Sequence, residues 1–118
     1  MAVRAEQTID ADGREVRLLY TNRALADIEQ QTGKSVIQIA QGFTAGNSGI
    51  TDVAHALRAG MEAHRRDSRV GGKPVTMEDA YQVMDAVGFA EVAAVVMGAV
   101  AEVIGYSAKD GSPNAPHP

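Results

Sequence analysis

The chain has 118 residues, a formal net charge of −4 and a hydrophobic fraction of 45%, which is enough for one domain with a modest core. It contains no cysteine, and this excludes disulfides and thiolate metal sites. Its basic residues are scattered, apart from a short run near Arg65, which argues against the clustered positive face that nucleic-acid backbone binding requires. The composition therefore predicts a single small domain for which nucleic acid is an unfavoured partner.

The first predicted element is a β-hairpin. Residues 3–9 and 15–21 form its arms and flank Asp12-Gly13, a pair of residue types that tolerates positive φ in a tight turn. Because an isolated hairpin is marginal in water, this one is expected to rest on helices or on another molecule. Leu19, on the face of the second arm turned away from the helices, is predicted to stay exposed.

Two helices with a glycine turn between them are predicted next. The first begins after Thr21 or Asn22, either of which can cap its N-terminus, and runs to about Thr32. Gly33 suits the left-handed residue that follows a helix. Ser35 and Gln38 match the reciprocal capping pattern that starts a second, short helix.

Gly33-Lys34-Ser35 also has the three letters that end a phosphate-binding loop. Such a loop needs a further glycine five residues before the Gly-Lys pair, and a strand that leads into it. Position 28 is Ile, and the segment before the pair is helical in pattern. The backbone N–H groups therefore cannot form a phosphate nest, and we predict a junction between two helices at this point.

A third helix is predicted from Thr51 or Asp52, either of which can cap it, to about Arg65-Arg66, where cations suit the helix dipole. Its apolar stripe consists of Val53, Leu57, Met61 and His64.

The fourth and fifth helices follow a loop with a proline. Thr76 caps the fourth and Gly88 ends it. The fifth, residues 89–104, is apolar around most of its circumference, with Glu91 and Glu102 on one wet edge, so we expect it to be central. A membrane span needs about 20 largely uncharged residues, so no membrane association is predicted.

These elements predict an α+β, mostly α, fold in which an N-terminal β-hairpin packs on a bundle of about five short helices. Residues 1–104 form the single domain. Residues 105–118 are rich in Pro, Gly and Ser and are predicted to be a disordered, flexible tail.

The sequence predicts no catalytic, cofactor-binding or metal-binding residues. His55 and His64 lie nine positions apart, so on one helix they point in opposite directions and cannot chelate one metal. The serines occur in no nucleophile-elbow context. A local basic loop, which favours a solvated surface over an RNA or acidic-partner site, contains Arg65, Arg66, Arg69 and Lys73.

Two stretches carry a resemblance to a known family. They are "NRALADIEQQTGKS", residues 22–35, and "VTMED", residues 75–79. Placed after a short hairpin and before a final apolar helix, they resemble the tail assembly chaperones of long-tailed bacteriophages and the related tail proteins of gene transfer agents. The likeness extends over roughly residues 3–104.

The resemblance implies a non-enzymatic protein of the host cytoplasm. It would bind the tape-measure protein, and keep that long helical chain soluble while tail-tube subunits polymerise around it. The tail-tube protein is a second implied partner, and self-association remains open. The residues predicted to contact a partner through apolar surface are Leu19, Ile37, Ile50 and Met61.

The alternative is a small helix-turn-helix regulatory protein that binds nucleic acid. Residues 22–42 contain two helices joined by a glycine turn, which fits that motif. The second helix carries no Arg or Lys after Lys34, however, and so has little with which to read a groove.

Overall fold

The computed structural model describes residues 4–47, 49–69, 71–107 and 112–113. An antiparallel hairpin of β1 (Ala5–Ala11) and β2 (Arg14–Tyr20) stands at its N-terminus. Within the described ranges the helices are α1 (Asn22–Thr32), α2 (Val36–Thr44), α3 (Ile50–Ser68), α4 (Met77–Val87) and α5 (Phe89–Ile104). The predicted α+β, mostly helical fold is confirmed.

The hairpin turn has the predicted residues and conformation. Asp12 and Gly13 have φ of 53° and 83°, and Ala11 pairs with Arg14 across them. Two successive positive φ values give the turn whose twist matches that of the strands it joins. The Gly13 N–H also donates to Asp10 Oδ1 over 2.8 Å.

Helix α5 is central, as predicted. It contacts β1, α2, α3 and α4, and its buried valines are Val92, Val96, Val100 and Val103. Glu91 and Glu102 are exposed on the wet edge. Among the described residues no single helix is long and apolar enough to cross a membrane; α4 and α5 together meet that measure but are bent by 118°.

Helix α3 is longer than predicted at both ends. It starts at Ile50 with Gly49 as N-cap, and Thr51 and Asp52 make no side-chain cap. It ends at Ser68, two residues beyond Arg66, so the basic pair lies in the last turn of the helix, as predicted. Both arginines also contact a carboxylate one turn earlier, as described below.

Helix α4 begins as predicted. Thr76 Oγ1 accepts from the Asp79 N–H, and the Asp79 side chain accepts from the Thr76 N–H. Gly88, with φ of 104°, separates α4 from α5. This reciprocal cap fixes the start of α4 after the proline-containing loop.

Only part of the predicted flexible tail can be compared with the structure. Gly105, with φ of 69°, ends α5. The short strands β3 (Tyr106–Ser107) and β4 (Ser112–Pro113) pair antiparallel. The prediction for the remaining tail positions lies outside the described residues.

A candidate protein-binding surface

The Gly33-Lys34-Ser35 segment is a junction between two helices. Gly33 has φ of 72°, and its N–H donates to the Glu29 carbonyl over 2.9 Å, which ends α1. Ser35 Oγ accepts from the Gln38 N–H over 3.0 Å, which starts α2. These backbone N–H groups are engaged in capping, so the predicted junction is confirmed.

Lys34 is also engaged in a contact within the chain. Its Nζ lies 2.8 Å from Oδ2 of Asp52, in the first turn of α3. The ion pair ties the turn between α1 and α2 to the start of α3. Lys34, the lysine of the sequence that resembles a phosphate-binding loop, thus forms an ion pair with α3.

A buried carboxylate lies near the end of α3, and sequence reasoning missed it. Glu62 is only 2% exposed. Its Oε1 accepts from Arg65 Nε at 2.8 Å and from the Val75 N–H at 2.9 Å, and its Oε2 accepts from Arg65 Nη2 at 2.7 Å. Arg66 Nε lies 3.0 Å from the same Oε2. The spacing of Glu62 to the two arginines, i to i+3 and i+4, was the available signal.

The electrostatics of Glu62 follow from these contacts. The hydrogen bond from Arg65 lowers the pKa of Glu62 to about 2, although burial acts in the opposite direction, and the N–H of Val75 and the charge of Arg66 add to the lowering. Glu62 therefore neutralises much of the predicted basic loop and fastens the chain before α4 to α3.

The prediction that Leu19 is exposed is wrong. The residue is only 3% exposed. It borders a hollow beside Ala24 of α1, and Ala59 and Ala63 of α3. Because β2 runs directly into α1 and also packs on α3, residues of both helices lie beside Leu19, where strand alternation alone predicts exposure.

The other predicted contact residues do not form one patch. Ile50 is 59% exposed at the start of α3, and Phe89, which was not predicted, is 36% exposed. Ile37 and Met61 are half-buried. Ile50 and Met61 lie on one helix about 16 Å apart along its axis. Whether any of these residues touches a partner stays a prediction.

An apolar groove lies between α2 and α5, with a volume of about 210 Å³. Every lining residue except Thr44 is apolar: Ala40 and Phe43 from α2, and Ala94, Met97, Gly98 and Ala101 from α5. Ala94 and Gly98 are exposed along its edge. We call this feature the α2–α5 groove. The sequence signal was the pair of small residues four apart, Ala94 and Gly98, on a helix otherwise rich in valine.

A separate hollow, lined by residues of α1, α3 and the start of α4, is polar where the α2–α5 groove is apolar. Its lining includes Arg23, Asp27, Arg58 and Arg66. Arg58 Nη2 already lies 2.6 Å from Asp27 Oδ2. In the part of the chain that the structure describes, no three His, Cys, Asp or Glu side chains are placed to hold a metal ion. Of the hollows described above, the α2–α5 groove has the most apolar lining.

The structure is that of a small, mostly helical protein with an apolar groove on its surface. A model of the family described as "Phage tail tube protein, GTA-gp10" matches residues 4–105, and the chain belongs to this family. It is a phage tail protein, which confirms the predicted resemblance at that level. The family is structural, which agrees with the predicted non-enzymatic role. No curated protein and no solved structure matches the chain.

Proposed function

We propose that the chain is a tail assembly chaperone. It binds the tape-measure protein in the host cytoplasm and keeps that chain soluble while the tail tube assembles. The observation that carries this proposal is the exposed, apolar α2–α5 groove on a chain of a phage tail family.

The size of the groove suits weak, transient binding. Burying one side chain such as Leu or Met contributes about 1.5 to 3 kcal/mol. A groove of about 210 Å³ takes only a few such side chains. Association itself costs about 4 to 15 kcal/mol, so the surplus is small. Weak binding of this kind would cover an apolar segment of the tape-measure protein and still allow a tube subunit to displace the chaperone from it.

Co-expression with the tape-measure chain tests the proposal. Gly98→Leu places a larger side chain at the edge of the α2–α5 groove, where an added Cβ meets nothing within 4 Å apart from its chain neighbours and the local helix backbone. Ala26→Leu is the control, since Ala26 is exposed on α1 and does not line the groove. We expect the native chain and Ala26→Leu to keep the tape-measure chain soluble, and Gly98→Leu to lose most of that effect. Equal solubility of the tape-measure chain without any partner would end the proposal.

A second candidate function is that of a tail-tube subunit. The family description names the tail tube. In addition, the sheet formed by β1 and β2 has two strands, so within the described residues both of its outer edges lack a strand partner. Open edges of this kind can pair with another copy of the chain. Rings or tubes of the purified protein in electron micrographs would favour this candidate over the chaperone.

The nucleic-acid regulator gains no support from the family match. Its reading helix would be α2, whose Val36, Ile39 and Ala40 are buried in the domain. The helix carries no charged residue, so it lacks the Lys and Arg side chains that neutralise phosphates and make the commonest specific base contact.

A further inference from the structure

Helix α5 carries two acidic residues near the α2–α5 groove. Glu91 stands seven residues before Gly98, and Glu102 stands four residues after it. Residues at these spacings share one stripe of a helix surface. The two carboxylates therefore flank the groove along α5, about 16 Å apart along the helix axis.

Both carboxylates are exposed, and neither makes an ion pair with the described residues of the chain. The opposite wall, α2, contains no charged residue at all. Neither does the loop of residues 45–49 that follows it. The charge that these elements contribute beside the groove is therefore negative only.

We propose that the α2–α5 groove binds one amphipathic helix that carries cationic side chains. The helix would insert apolar side chains at positions i, i+3 or i+4, and i+7 between α2 and α5. It would place Lys or Arg about eleven residues apart, opposite Glu91 and Glu102. This inference rests on the proposed function, and it specifies the chemistry of the tape-measure segment that is bound.

The shape of the groove fits a helix. Its edge on α5 is formed by Ala94 and Gly98, and the space in front of Gly98 is open. Packed helix axes lie about 8 to 10 Å apart, and small contact residues allow the shorter distance. With α2 and α5 as two walls, a third helix completes a local three-helix packing.

The charges also distinguish this partner from a second copy of the chain. If two copies met antiparallel through α5, Glu91 of one would approach Glu102 of the other. In a parallel arrangement each glutamate would approach its own counterpart. Like charges in contact are destabilising, and each copy carries a formal net charge of −4. A cationic helix meets the same carboxylates with attraction.

Two synthetic peptides of about 20 residues test the inference with the full chain, because shorter helices are marginal in water. Both carry one Leu and Ala stripe. The first has Lys at two positions eleven residues apart beside the stripe, and the second has Glu there. We expect fluorescence anisotropy at low salt to show about tenfold tighter binding of the Lys peptide. We expect Gly98→Leu to weaken its binding, and Ala26→Leu, on α1, to leave it unchanged.

The charge-reversed double variant Glu91→Lys, Glu102→Lys supplies the decisive comparison. It is expected to prefer the Glu peptide, and added salt should reduce the preference in both proteins. Equal binding of the two peptides by the native chain would overturn the charge inference, while the co-expression result would still decide the chaperone function. Failure of both peptides to bind, or self-association that Gly98→Leu abolishes, would overturn the helix as the occupant.

Discussion

The ring of Tyr20 lies against Gly60 so closely that a Cβ on residue 60 would overlap it. Tyr20 is fully buried, and its hydroxyl donates a hydrogen bond of 2.7 Å to the Ala56 carbonyl. Burial raises the pKa of this hydroxyl, so it stays protonated and remains a donor. The pair seats the hairpin on α3, and it explains why a glycine is acceptable in the middle of that helix.

The substitution Gly60→Ala is expected to destabilise the fold by about 1 to 3 kcal/mol, since the added methyl group overpacks the site. Urea denaturation measures the free energy of unfolding. Gly42→Ala is the matched control, because residue 42 is also within a helix but an added Cβ there meets nothing within 4 Å. This control should be neutral or more stable by up to about 1 kcal/mol. Equal effects of the two variants would contradict the Tyr20 packing.

Acid should weaken the fold through Glu62. The pKa of Glu62 is lowered from 4.5 to about 2 in the folded protein. The unfolded chain therefore takes up this proton first as pH falls, and the contribution of Glu62 to stability, complete above pH 4.5, is lost as pH approaches 2.

Glu62→Gln should remove that part of the pH dependence and cost about 1.5 to 3 kcal/mol near neutral pH. Glu15→Gln is the control, because the Glu15–Arg17 pair is exposed and should change stability by less than about 1 kcal/mol. Denaturation series over pH 2 to 7 would contradict this account if the native and Glu62→Gln curves stayed parallel.

The junction between α1 and α2 is expected to behave as a pair of caps. Ser35→Ala should cost about 1 kcal/mol by removing the cap of α2. Lys34→Ala should cost at most about 1 kcal/mol, since its ion pair with Asp52 is partly exposed. Magnesium and ATP should leave the melting temperature unchanged. A rise that Lys34→Ala abolishes would restore the phosphate-loop interpretation.

Truncation to alanine should destabilise the fold at Leu19, which is buried, and have little effect at Ile50, which is exposed. Leu19→Ala is expected to cost about 2 to 5 kcal/mol because the residue is buried. Ile50→Ala should change stability by no more than about 0.5 kcal/mol. If Ile50 is nevertheless a contact, this variant will lower tape-measure solubility on co-expression. A stable Leu19→Ala protein would show that its burial contributes little.

The features that the sequence predicted correctly depend on short-range chemistry. Asp12-Gly13 specifies its turn through φ values that few other pairs tolerate. Gly33, Ser35 and Thr76 mark helix ends through hydrogen bonds to residues three or four positions away. These signals involve residues at most four positions apart, so they can be read from the sequence without knowing the tertiary packing.

The features that sequence reasoning missed depend on which elements meet. Leu19 alternates as an exposed strand residue should, and only the approach of α1 and α3 covers it. The burial of Glu62 involves the loop before α4, whose Val75 N–H donates to its carboxylate. Likewise, Ala94 and Gly98 mark small residues on one face of α5, but the α2–α5 groove also depends on the spacing between two helices, which the pattern along one helix does not contain.

Site-specific photocrosslinking tests the central claim most directly. Because the sequence contains no cysteine, Ala94→Cys provides one thiol at the α2–α5 groove, and Thr8→Cys provides one on the exposed face of the hairpin. Each variant would carry a thiol-linked photoreactive probe and be irradiated in the presence of the tape-measure chain. The account predicts crosslinks from position 94 and few from position 8. Crosslinks from position 8 alone would place the partner on the hairpin and contradict the groove.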